Sequence, residues 1–151
     1  MSGAALQVRR AQPRDAAAVE ALYRELVPGD PNIRVAPEHL AALEHDPHDQ
    51  LLVAELDGVV CGSAFLTLCR DPMYGFQPYA VIENVIVLAS RRACGVGSAL
   101  LSALEANARA ARCTKLMLLS SASRSEAHAF FARAGFDGER KRGFVKYLNR
   151  A

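Results

Sequence analysis

The stretch IENVIVLASRRACGVGSALL (Ile82–Leu101) decides the reading of this chain: a β-branched strand runs into a turn with glycines at 95 and 97, and an apolar helix follows. Glycine lets a backbone approach a bulky anion, and the free N–H groups at a helix start point toward it. The expected product is a pyrophosphate cradle, with Arg91 and Arg92 adding positive charge beside it. Two other phosphate-binding turns fit poorly. A Walker loop needs Lys-Ser/Thr after its last glycine, whereas Gly97 is followed by Ser98 and Ala99. A dinucleotide turn needs G-x-G-x-x-G/A and an acidic residue at the next strand end, whereas Gly95-Val96-Gly97-Ser98-Ala99 continues into Leu100 and the next strand lies around Lys115.

Upstream, a short strand near Leu6–Arg10 precedes Asp15, which is placed to cap a helix with Val19, Leu22, Tyr23 and Leu26 at helical spacing. Pro28, Gly29, Asp30 and Pro31 break that helix, a shorter one spans Glu38–Glu44, and Asp46–Gln50 is a loop. Leu51–Leu56, the Asp57-Gly58 turn and the run from Val59 to Leu68 read as a β-hairpin, because Asp-Gly supplies the positive φ angles of a tight turn. After the loop Asp71–Pro78, Tyr79–Leu88 returns as a long strand. Downstream, a helix runs from Gly97 to about Arg112 with Leu100, Leu101, Leu104 and Ala108 on one face, and Lys115–Leu119 is a short strand. Ser123 and Glu126 have the spacing of a capping box for a helix carrying Ala127, Phe130 and Phe131, which stops at Gly135. Phe136–Glu139 and Phe144–Leu148 read as a closing hairpin around Lys141–Gly143. The order is strand, two helices, three strands, helix, strand, helix and two strands, which predicts an α/β fold with a mixed (α+β) sheet in one domain over residues 1–151.

The chain has 151 residues, of which 51% are hydrophobic, enough to bury one core. Its 18 basic and 16 acidic side chains leave a net charge of +2, too balanced for a dedicated nucleic-acid or membrane surface. No apolar run approaches the ~20 residues of a membrane helix, and the N-terminus lacks a signal peptide's apolar run, so the expectation is a soluble cytoplasmic protein. Cys61, Cys69, Cys94 and Cys113 are scattered with no C-x-x-C pair, and His39, His45 and His48 stand in a polar stretch away from His128; these read as free thiols and no metal site.

The segment Arg92-Ala93-Cys94-Gly95-Val96-Gly97 matches the R/Q-x-x-G-x-G/A signature of the GNAT superfamily of N-acetyltransferases, and in its strand-turn-helix setting the chain resembles that family. The likeness extends to IENVIV as the family's fourth strand and to Glu126–Phe136, similar to its A-x-x-F-Y-x-x-x-G-F helix ending. Arg124 with Glu126-Ala127-His128 resembles a small bacterial subgroup that includes aminoalkylphosphonate acetyltransferases. The first half agrees in element order and in its R-x-A-x-x-x-D-like entry, Arg10–Asp15.

The resemblance implies the acyl-CoA N-acyltransferase fold, acetyl-CoA as cosubstrate, and transfer of its acetyl group to a primary amine of a small molecule. The fourth strand would bulge and splay from the fifth, with the pantetheine arm against the main chain of Val85, Ile86 and Val87 and the pyrophosphate on Arg92, Ala93, Cys94, Gly95, Val96, Gly97 and Ser98 beside Arg91. Cys94 would contribute its amide. Phe131 stands at the cofactor position where many members carry a proton-donating tyrosine, and phenylalanine cannot donate. An amine nucleophile has a pKa near 10.4 and must lose a proton. On a strand, residues 81, 83 and 85 share one face, and with Val81 at a position used by some relatives, Glu83 is the acid left there to act as base. A backbone N–H near Val85 would polarise the thioester carbonyl. Ser120 and Ser121 are further hydroxyls near the fifth strand's end. The acceptor pocket falls on the variable segments 28–50 and 70–79, and homodimers are common among look-alikes. The alternative is a non-catalytic acyl-CoA sensor or partner-binding module, for which the missing tyrosine speaks; nucleic-acid binding through Arg133–Arg142 is not expected.

Overall fold

The computed structural model describes residues 5–148, which form two compact units divided between Leu118 and Leu119. The first holds β1 (Leu6–Arg10), α1 (Ala16–Leu26), α2 (Pro37–Leu43), β2 (Asp49–Leu56), β3 (Val59–Arg70), β4 (Pro78–Val87), α3 (Val96–Ala110) and β5 (Leu116–Leu118). The strands make one sheet in the order β1-β2-β3-β4-β5. The first four are antiparallel neighbours, while β5 runs parallel to β4 because α3 carries the chain back across the sheet. The mixed sheet expected from the element order is present. The Asp57-Gly58 turn closes the β2–β3 hairpin with φ angles of 54° and 79° at its two residues, so Leu56 faces Val59.

Helices cover both faces of the sheet. On one, Val19 of α1 and Leu40 of α2 pack with Leu51, Val53 and Phe65. On the other lies α3, whose Leu100, Leu101, Leu104 and Ala108 are buried as their spacing predicts. Gly62 of β3 allows this approach: a Cβ there would lie 2.9 Å from Val96 Cγ1 and 3.1 Å from Leu100 Cδ1. A polar link in this layer is satisfied, since Asn107 Nδ2 donates to the buried Gln50 Oε1 at 2.8 Å and Gln50 Nε2 donates to Pro47 O.

Asp15 does not cap α1 with its side chain as expected. Its carboxylate accepts two bonds from Arg9, at 2.7 and 2.9 Å, and the Gln12 N–H at 2.7 Å. Arg9 also reaches Glu55 on β2, so one guanidinium ties the first strand, the turn into α1 and the second strand. A buried arginine outcompetes two helix amides for the same oxygens because its bond is charge-assisted.

The second unit contains α4 (Ser125–Arg133), whose first residue lies two places after Ser123. The Ser123/Glu126 capping box does not form: Arg124 holds the N-cap position without a side-chain bond, and Ser123 Oγ pairs with Ser121 Oγ at 3.3 Å. Phe131 is buried against the rings of Phe130 and Phe136, with centroids 5.5 and 6.1 Å away. The hairpin expected over 136–139 and 144–148 is also not formed among the described residues. Asp137 Oδ1 accepts the amides of Glu139 and Arg140, which diverts the donors that a first strand would offer to a second.

Arg9 holds the Asp15 carboxyl below the usual carboxylate range, chiefly through their hydrogen bond. A depressed folded pKa means that this stabilisation is complete above the unfolded value of about 3.9 and is lost as pH falls through the folded value. Asp15→Asn is expected to cost about 3 kcal/mol near neutral pH by leaving half of a buried ion-pair network unmatched. It is also expected to flatten the acid limb below about pH 4. Urea unfolding of both proteins across that range measures the two effects.

Candidate active site

A bulge in β4 sets the geometry of the site. Pairing with β3 runs regularly from Arg70↔Pro78 to Phe65↔Glu83, then resumes at Ser63↔Ile86 and Gly62↔Val87. One β3 residue, Ala64, therefore faces both Asn84 and Val85, and Asn84 adopts the left-handed region at φ 55°. The sequence reading anticipated a bulge here, and its position changes which groups face which way. Before it, Pro78, Ala80 and Ile82 turn their main-chain groups toward β5: Ala80 N–H donates to Lys115 O at 3.0 Å, and Pro78 O accepts from Thr114 N–H at 2.9 Å. After it the parity flips. Leu88 N–H donates to Cys61 O at 2.8 Å, so Leu88 and Ile86 turn their main chain toward β3, while Val85 and Val87 turn theirs to the opposite edge.

Among the described residues, no strand pairs with that edge over this stretch, since the ladder with β5 ends at Ile82↔Leu118, where β5 itself ends, whereas β4 continues to Val87. The main-chain groups of Val85 and Val87 line this edge, with Ile86 between them, buried and turned toward β3.

The same shift corrects the side-chain face inferred from simple alternation. Residues opposite each other share a face, so Val81, Glu83 and Ile86 lie with Thr67, Phe65 and Ser63, and Val85 does not share the Glu83 face. Phe65 packs in the cluster with α1 and α2, so Glu83 is on the α1 side of the sheet. Glu83 is exposed, and among the described residues it makes no hydrogen bond or ion pair.

At the end of β4 the turn builds the cradle. Ala93 and Gly95 both adopt the left-handed region, at φ 65° and 82°, and α3 starts at Val96, one residue before its expected start. Alternating hand in successive residues gathers N–H groups into a concave anion-binding nest. The Ala99 N–H is the first to find a helical carbonyl, that of Gly95 at 3.0 Å. Among the described residues, the amides of Ala93, Cys94, Gly95, Val96, Gly97 and Ser98 donate to no protein acceptor. Cys94 is a free, exposed cysteine within this turn.

The two arginines divide. Arg92 is tethered, its Nε donating to Val87 O at 3.3 Å and its Nη2 lying 3.9 Å from Glu25 Oε1 of α1. The same Glu25 oxygen accepts the Ala89 N–H at 3.1 Å, so α1 steadies the entrance to the turn. Arg91, half-buried, has no ion pair among the described residues and is the guanidinium left for an anion.

Of the remaining candidates, Ser120 has a buried hydroxyl without a hydrogen-bond partner among the described residues, while His128 Nε2–H donates to the backbone oxygen Ser121 O at 2.8 Å. Sequence reading missed Asn84, whose left-handed backbone makes the bulge and whose residue type carries no signal of it beyond its tolerance of that conformation. No group of three His, Cys, Asp or Glu is arranged for a metal among the described residues, and no described helix is long and apolar enough to cross a membrane.

An anion nest at a helix mouth beside a strand with an unpaired stretch is suited to an extended ligand that carries a diphosphate. The chain belongs to the acetyltransferase (GNAT) family, which it matches over residues 17–136, and is an acetyl-CoA-dependent N-acetyltransferase. It is 32% identical over 140 residues to the aminoglycoside N(6′)-acetyltransferase type 1 of Stenotrophomonas maltophilia, covering 91% of this chain and 90% of that one. Among solved structures it is similar to a putative acetyltransferase from Agrobacterium tumefaciens, with 32% identity, TM-score 0.84, and 94% and 99% of the two chains covered. The fold is also that of the aminoglycoside N-acetyltransferase AAC(6′)-Iy in complex with CoA, at TM-score 0.79 and 22% identity over 99% of this chain and 98% of that chain.

Ala93 is an L-residue at positive φ, a conformation that costs roughly 1–2 kcal/mol. Ala93→Gly is therefore expected to leave thermal stability unchanged or raise it slightly, and Ala93→Val to lower it, as scanning calorimetry of the two variants reads directly.

Proposed function

We propose that this chain transfers the acetyl group of acetyl-CoA to a primary amine of a small molecule by direct attack within a ternary complex. The observation that carries this reading is the set of unengaged amides from Ala93 to Ser98 leading back to the open edge of β4. In it the pyrophosphate rests on those amides beside Arg91, with Arg92 as part of the turn's frame. The pantetheine arm follows β4 as an added strand, meeting the outward groups of Val85 and Val87 around Ile86. The Val85 N–H then faces the thioester carbonyl, where a preformed donor gains strength as negative charge develops on that oxygen.

Glu83 is the proposed general base. It takes a proton from the ammonium, directly or through water, freeing the nitrogen lone pair to attack the acetyl carbon. The C–N bond forms, the tetrahedral intermediate collapses with cleavage of the C–S bond, and the second nitrogen proton passes through solvent to the departing sulfur, so that the amide and the thiol of coenzyme A are the products. The open, uncommitted state of the Glu83 carboxylate supports this over a structural ion pair. A small amine is favoured because the relative matched along most of both chains is named for acetylating an aminoglycoside, itself a polyamine. We take residues 1–151 as one catalytic domain, since the family match runs across residue 118. A second reading, an acyl-CoA sensor without turnover, draws on Phe131, which supplies no proton for the leaving thiolate.

Glu83→Gln is expected to lower kcat by about 10²–10⁴-fold, to remove the lower limb of the pH–rate profile, and to leave acetyl-CoA affinity unchanged by calorimetry. The assay is an amine panel with acetyl-CoA and free-thiol detection. A variant at full speed removes Glu83 from the mechanism, ping-pong kinetics removes direct attack, and tight acetyl-CoA binding without turnover selects the sensor.

A further inference from the structure

The Val87 carbonyl is one of the groups that the bulge turns to the unpaired edge of β4, and it is already engaged. The Arg92 side chain folds back over the helical turn Ala89–Arg91, and its Nε–H donates to that oxygen at 3.3 Å. A strand added at this edge must bring an N–H of its own to about 2.9 Å from the same oxygen. The oxygen has a second lone pair, but the guanidinium stands in the way of the backbone that would use it.

What holds the guanidinium there is weak. Its bond to Val87 O is long, its Nη2 is 3.9 Å from Glu25 Oε1, and the Arg92 side chain is 55% exposed. An exposed ion pair of that length contributes little. A diphosphate offers the same side chain charge-assisted bonds to more than one oxygen, and Arg92 directly precedes Ala93, where the nest of amides begins. The side chain therefore has two stations in reach, the end of β4 and the nest, and in this structure it is committed to the first. Glu25 does not depend on it. The same Oε1 accepts the Ala89 N–H at 3.1 Å, so the turn stays tied to α1 when the guanidinium leaves.

We propose that Arg92 is a specificity-determining residue for the acyl donor: it blocks the Val87 rung of the pantetheine edge, and a diphosphate on the amides of residues 93–98 draws it away and opens that rung. The inference rests on the seat of coenzyme A proposed above, and adds that Arg92 leaves the frame of the turn once the diphosphate arrives. The two halves of the donor then bind cooperatively, since one releases the group that obstructs the other. The site takes thioesters of coenzyme A and discriminates against acyl-pantetheine arms that carry no diphosphate.

The test measures, by calorimetry, the binding of acetyl-CoA and of its two halves, acetyl-pantetheine and ADP, to the wild type, Arg92→Ala and Glu25→Gln. Arg92→Ala removes a phosphate contact and is expected to bind ADP about tenfold more weakly. It also removes the obstruction, and is expected to bind acetyl-pantetheine about fivefold more tightly. A guanidinium that only stiffens the turn gives the opposite sign for acetyl-pantetheine. Glu25→Gln keeps an oxygen for the Ala89 N–H and drops the charge that holds Arg92 back, so it is expected to bind both halves about twofold to fivefold more tightly. In ¹H–¹⁵N spectra of the wild type, ADP alone is expected to shift the Arg92 Nε–H together with the Leu88 amide nitrogen, which shares the Val87 peptide unit. Acetyl-pantetheine bound no more tightly by Arg92→Ala than by the wild type overturns the proposal, as does an Arg92 Nε–H that ADP leaves in place. Should Arg92→Ala fail to fold, Glu25→Gln decides by the same comparison, and the absence of any gain for acetyl-pantetheine overturns the proposal. A wild type that binds neither acetyl-CoA nor ADP sinks the seat of coenzyme A itself, an outcome distinct from binding of both with no gain for acetyl-pantetheine.

Discussion

The change of parity at Asn84 is the constraint on which the rest of the site depends. An antiparallel strand turns alternate residues' hydrogen-bonding groups to alternate edges, and without interruption the even-numbered residues of β4 would face β5 throughout. One extra residue opposite Ala64 reverses this, so the strand that binds β5 with Ala80 and its neighbours presents Val85 and Val87 once β5 has ended. Hydrogen-bonding capacity left unspent by the sheet becomes capacity available to a ligand of extended shape.

The cradle is made by a related device. A helix start leaves several amides without partners, and two left-handed residues ahead of it bend further amides into the same hollow. Charge is used sparingly. Arg92 is spent on the Val87 carbonyl and Glu25, which holds the turn against α1, and Arg91 stays uncommitted. A nest of oriented dipoles needs little reorganisation when an anion arrives, and that is the property expected of a site that binds diphosphates repeatedly. Through Glu25, α1 is bonded to the entrance of the cradle, so a helix that looks like simple packing also steadies the turn.

Local sequence rules failed in this chain where a competing partner nearby in the chain took the group that the expected role required. Asp15 stands at the N-cap of α1, but Arg9 and the Gln12 amide claim its oxygens. Ser123 has capping spacing, but it faces Ser121. The 136–139 segment alternates like a strand, but Asp137 turns its amides inward. In each case the residue type was suited to the expected role, and another local bond available to the same side chain competed with the cap or the ladder and prevailed.

The amino-acid order alone determined the strand-turn-helix of Ile82–Leu101, the Asp57-Gly58 hairpin, the apolar faces of α1 and α3, and hence the mixed sheet and the family, because these rest on periodicity and on glycines whose backbone freedom is intrinsic. The tertiary structure decided that Val85 leaves the face of Glu83, that Arg92 is paired while Arg91 has no ion pair among the described residues, and that Asn84 carries the bulge. A one-residue shift in strand pairing exchanges every inside for an outside, and the register is set by the neighbouring strand and the helix packed across it, neither of which the strand's own sequence encodes.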